Sequence, residues 1–130
     1  MGDYVPLYDA GPELTRQASA TITGGQLVAV TGSGTVGPAG ANALNWVGAA
    51  AFDGVSGDKV TVHTGGVQRL VASGTVTAGD IVVCAANGQV STLAAVSTPT
   101  AADVTNTRAI VGIALTTATT GNLVEVQMDR

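Results

Sequence analysis

"TGGQLVAVTGSGTV", residues 23–36, is the stretch on which the reading of this chain turns. An apolar run leads into Gly32 and Gly34, with Gly37 just beyond, so the three spell G-x-G-x-x-G. In a dinucleotide-binding turn, such glycines let the backbone approach a pyrophosphate at the N-terminus of a helix. Asp53 stands near the spacing of a ribose-binding acid. Against that, Pro38-Ala39-Gly40 follows where the helix should start, and then comes another apolar stretch.

The stretch also occurs twice. "TGGQLVAVTGSGTV" aligns without gaps on "TAGDIVVCAANGQV", residues 77–90, at an offset of 54 residues (23 to 77). Thr23, Gly25, Val28, Gly34 and Val36 return as Thr77, Gly79, Val82, Gly88 and Val90. The second copy keeps the apolar run and the turn and loses the G-x-G-x-x-G spelling. A hairpin turn tolerates that change, because it needs only residues that accept positive φ; a phosphate cradle does not. A second pair follows. "VGAAAFDGVSGDKVTV" (47–62) aligns on "VGIALTTATTGNLVEV" (111–126) at an offset of 64 residues (47 to 111). The extra length falls within 91–109, a polar, proline-containing stretch that reads as a surface loop.

Each repeat unit reads as strands. "QLVAV" and "DIVVC" are short, β-branched and bounded by glycine; "KVTVH" and "LVEVQ" alternate with period two. "GGVQRLVASGTV" between the halves reads as a strand pair or one bent strand. Gly57-Asp58 and Gly121-Asn122 have turn chemistry. The expected fold is all-β: a compact single-domain barrel or sandwich of about eight to ten short strands, in two quasi-equivalent halves related by an approximate two-fold. A single helical turn is expected near 40–44. Residues 18–130 form the β domain, with the repeat at 23–62 and 77–126 and the insertion at about 91–109.

Composition agrees. Hydrophobic residues are 45% of the 130, but aromatics only 3% and charged residues only 11%, against about 25% charged in ordinary domains. Formal net charge is −4, and the five basic residues are scattered. No basic patch exists to neutralise phosphates, so nucleic acid is not an expected partner. No apolar run approaches the roughly 20 residues of a membrane span. "MGDYVPLYDAG" lacks the charged and apolar regions of a signal peptide, so synthesis in a reducing cytoplasm is expected.

The chemical inventory is short. His63 is the single histidine and has no nucleophile at a recognisable spacing. Cys84, the single cysteine, aligns with Val30 and reads as a buried thiol. Asp53, Asp58 and Asp80 sit in turns and read as caps; "DGVSGD" lacks the acid density of a calcium loop. Lys59, the single lysine, invites comparison with lipoyl and biotinyl carriers, but it opens an alternating strand and aligns with Leu123. The expectation is no catalytic residues, no cofactor and no metal.

Residues 1–17, "MGDYVPLYDAGPELTRQ", carry both tyrosines and show no alternation. They read as an extended arm. At about 25 cal/mol per Å² of apolar surface, Tyr4, Val5, Leu7 and Tyr8 are costly to leave in water, so a docking partner is expected.

Taken together, "YVPLYDAGPELTRQAS", "ITGGQLVAVTGSGTVGPA", "WVGAAAFDGVSGDKVTVHTGGVQRLVASGTVTAGDIVV" and "IVGIALTTATTGNLVEV" resemble, in order and spacing, the capsid decoration (head-stabilising or cement) proteins of tailed double-stranded DNA phages. That resemblance implies a structural, non-enzymatic virion protein on the outer capsid surface. It implies homotrimers at three-fold and quasi-three-fold positions, bound to the major capsid protein and helping the head resist DNA pressure. On it, Tyr4, Val5, Pro6, Leu7, Tyr8 and Arg16 are expected to contact the capsid. A host-adhesion fibre protein is the alternative.

Overall fold

The computed structural model describes residues 13–129. Ten strands and one short α-helix are present among them. The first half holds β1 (Glu13–Ala18), β2 (Leu27–Gly32), β3 (Thr35–Pro38), β4 (Trp46–Ala50) and β5 (Lys59–His63). The second holds β6 (Val67–Val71), β7 (Ile81–Cys84), β8 (Val90–Thr92), β9 (Ile110–Ala114) and β10 (Leu123–Met128). The helix α1 (Ala101–Asn106) lies between β8 and β9.

The first half is a closed barrel in the order β1-β3-β2-β4-β5. Its pairings are antiparallel except β1 with β3, which run parallel and place Ala18 beside Val36. The second sheet runs β6-β10-β9-β7-β8, joining equivalent strands as neighbours. Its edges meet at a parallel bridge, Ala72 to Val90, the repeat counterparts of Ala18 and Val36. The chain is thus one barrel built twice.

The repeat runs further back than residue 23. Glu13–Gln17, expected in the arm, form β1 and pair along β5, with Leu14 opposite Val62 and Arg16 opposite Val60. Their counterparts in β6 pair along β10, with Gln68 opposite Val126 and Leu70 opposite Val124. The alternation escapes a hydrophobicity reading because Leu14 is the one large apolar residue in "ELTRQ". Residues 1–12 lie outside the described residues.

Equivalent side chains fill both interiors. Ala18, Ile22, Val28, Val36, Ala50, Val60 and Val62 pack in the first barrel. Ala72, Val76, Val82, Val90, Ala114, Val124 and Val126 are their counterparts in the second. These small, β-branched residues suit a narrow barrel, whose inward positions admit little bulk. Each barrel bends at the same place. The β2–β4 register slips after Val28, and the β7–β9 register slips after Val82. Such bulges tighten the twist that closure needs.

Two expectations need correction. The segment 40–44 forms turns, not helix: Ala43 N–H donates to Gly40 O, and Asn42 takes φ 54°, a left-handed value that stops a helix. The insertion is not wholly loop. Thr100 and Asp103 form a capping box that starts α1, which buries no residue. In "GGVQRLVASGTV", β6 ends at Val71 and only isolated bridges at Ala72 and Val76 follow.

Candidate functional site

The glycines of the opening stretch serve a hairpin. β2 ends at Gly32, Gly34 takes φ +77° in the turn, and β3 begins at Thr35. No helix starts there. A Cβ on Gly37 would press on Thr31 and Ser19, so that glycine answers to close packing. The acid near the ribose spacing, Asp53, accepts a hydrogen bond from Gly24 N–H at 2.7 Å.

Asp58 and Asp80 instead accept from N–H groups three residues before them. Asp58 Oδ2 accepts from Val55 N–H at 3.0 Å. Asp80 Oδ2 accepts from Thr77 N–H and from Thr92 Oγ1, both at 2.9 Å. Each therefore caps its own turn, as its sequence context indicates. Asp80 and Gln26 are repeat counterparts and close equivalent turns, since Gln26 Oε1 accepts from Thr23 N–H at 2.8 Å. Among the described residues, no group of three or more His, Cys, Asp or Glu side chains is placed to hold a metal ion. His63 Nδ1 lies 3.6 Å from Glu13 Oε1, across the β1–β5 pair on the surface. Cys84 is a buried thiol in β7. Lys59 opens β5 opposite Gln17, on a strand and not at a hairpin tip as a carrier lysine would be.

Arg16 is the one described member of the expected capsid-contact set; Tyr4, Val5, Pro6, Leu7 and Tyr8 lie outside the described residues. It is half-buried in β1, and its Nη1 donates to Thr15 O at 2.9 Å. With Leu14, Val30 and Val47 it lines a cavity of about 130 Å³ at one mouth of the first barrel. In the second barrel the counterpart of Arg16 is Leu70, fully buried in the core. The first barrel thus carries a half-exposed cation at a position the second fills with a buried alkyl side chain.

A second concavity, of about 310 Å³, lies between the β3–β4 loop and the insertion. Leu93, Val96, Pro99 and Val104 give it an apolar wall. Its carboxylate, Asp103, is engaged in the α1 capping box. Sequence reading misses this groove because its walls meet only in three dimensions.

The described residues form an all-β protein of two five-stranded units, its turn aspartates engaged by backbone N–H groups. Residues 9–129 match the model of the phage cement protein family, and the chain belongs to that family. The fold is similar to a solved structure described as the head fiber gp8.5 N base in bacteriophage phi29. The TM-score is 0.65 at 18% identity, over 90% of this chain and 92% of that one. No curated protein matches the sequence. Family membership carries a capsid-associated structural role and a place in the virion.

Proposed function

We propose that this protein binds the outer surface of the mature head through the major capsid protein, as a homotrimer at three-fold and quasi-three-fold positions, and stabilises the shell against internal DNA pressure. The observation that carries the reading is the family match over residues 9–129. The described surface supports it: charged residues are sparse, and the repeated β faces suit protein contact. The arm, with Tyr4, Val5, Pro6, Leu7 and Tyr8, lies extended on a capsid subunit and fills pockets there. Arg16, half-buried in β1, pairs with a capsid carboxylate. Each contact is weak, and repetition over a symmetric shell supplies avidity.

A second reading takes the two barrels as the base of a longer head fibre. The likeness to the phi29 head fiber base favours it. Imaging undecorated expanded heads mixed with the purified chain separates the two. Density capping three-fold positions supports the cement reading; isolated projections support the fibre reading. Deleting residues 2–12 is expected to leave a folded body that no longer binds heads. Undiminished binding by that truncation rules out the arm as the contact.

A further inference from the structure

The two barrels are equivalent in fold but not in contact. On the first barrel, the outer face at the start of β2 pairs Leu27 with Ala49, and both are buried, at 0% and 3% exposure. The second barrel covers that face with the end of β7 and the following turn. Gly88 N–H donates to Ala39 O at 2.8 Å, Asn42 N–H donates to Cys84 O at 3.0 Å, and Gln26 Nε2 donates to Asn87 O at 3.0 Å. Leu27, Ala49, Trp46, Leu70 and Cys84 belong to one apolar cluster spanning both halves.

The repeat counterparts of both surfaces are left open. On the second barrel, Ile81 pairs with Ile113 as Leu27 pairs with Ala49, yet each isoleucine is 45% exposed. On the first barrel, Val30 stands where Cys84 does and is also 45% exposed, followed by exposed Thr31 and Gly34. A two-fold would bury matching faces together. This contact is heterologous: face one of the first barrel meets face two of the second, and the complementary pair remains unused. Even the acceptor backbone is ready, because Leu93 N–H donates to Ile81 O at 2.8 Å as Ala39 N–H donates to Leu27 O at 2.9 Å.

We propose that the Ile81–Ile113 face is covered by the Val30–Gly34 turn of a second copy of this chain, in the placement that joins the two barrels within one but without the Gln26 hydrogen bond, since Asp80 stands in its place. The inference rests on the self-association in the proposed function and assigns its surface. The Gly34 N–H of one copy then donates to the Leu93 carbonyl of the next. A head-to-tail contact of this kind closes into a ring where its rotation permits.

The test is disulfide trapping between single-cysteine-addition variants, Ser33→Cys and Ile81→Cys, in concentrated solution and on expanded heads. Their mixture is expected to give a cross-linked heterodimer. A mixture that stays uncross-linked in both settings overturns the proposal, as does a Ser33→Cys homodimer formed in preference to the mixed species. Ile113→Asp, on the outer face, is expected to weaken self-association at least about tenfold by sedimentation, with an unchanged circular dichroism spectrum. Self-association unchanged by Ile113→Asp also overturns it. Failure of the wild-type chain to bind heads strikes at the cement reading and leaves the cross-linking result standing on its own.

Discussion

At the residue scale, two glycines show most directly why this composition makes this fold. Gly48 in β4 and Gly112 in β9 are repeat counterparts, and neither needs positive φ. A Cβ on Gly48 would overlap the His63 carbonyl oxygen, and one on Gly112 would overlap the Gln127 carbonyl oxygen. The paired strand, β5 or β10, lies so close that its backbone fills the space a side chain would take. Gly112→Ala is expected to destabilise by about 3 kcal/mol or more, because the neighbouring backbone must move. Gly40→Ala, with nothing near its missing Cβ, is expected to stay within about 0.5 kcal/mol of wild type. Denaturant unfolding of the two variants checks the contrast; equal losses would remove the close-approach explanation. The repeat aligns Gly48 with Gly112 in sequence, but what either glycine touches lies on another strand.

At the element scale, the strands follow from β-branched runs between turn glycines, and these are legible in the sequence. β2 and β7, and β5 and β10, fall where their alternation and apolar runs place them. β1 is not legible, since "ELTRQ" offers Leu14 alone to the interior and takes its order from pairing with β5. The insertion shows itself by length, and its helix does not, because a capping box in a short polar stretch carries little weight without context. α1 buries nothing, and Ala109 beyond it is fully buried. Shortening the segment between Leu93 and Arg108 to the length of the β3–β4 loop is therefore expected to change stability by less than about 1 kcal/mol. Thermal denaturation followed by circular dichroism checks this; loss of cooperative melting would mean that the insertion supports the second barrel.

At the scale of the whole molecule, one apolar cluster runs from the second barrel's interior to the outer face of the first. The barrels should therefore unfold together. Leu27, fully buried between them, ties one to the other. Leu27→Ala is expected to lose about 2–5 kcal/mol in a single transition. Leu27→Asp should place an unpaired charge in the joint and split unfolding into two transitions. Calorimetry, comparing van't Hoff with calorimetric enthalpy, reads both outcomes. A single two-state transition in Leu27→Asp would show that the halves are held together elsewhere.

The all-β class, the duplication, the hairpin role of the G-x-G-x-x-G stretch and the resemblance to capsid decoration proteins all follow from the sequence alone. Each is local or periodic, and local chemistry repeats visibly when a unit is used twice. How the two copies meet is settled in three dimensions. Leu27 and Ile81 are interchangeable to any pattern of hydrophobicity, yet one is sealed and the other open. Burial belongs to the pair of surfaces that come together, and a heterologous contact leaves one of each kind exposed. The two-fold suggested by the repeat therefore gives way to a directional arrangement, with one face of each type still turned outward.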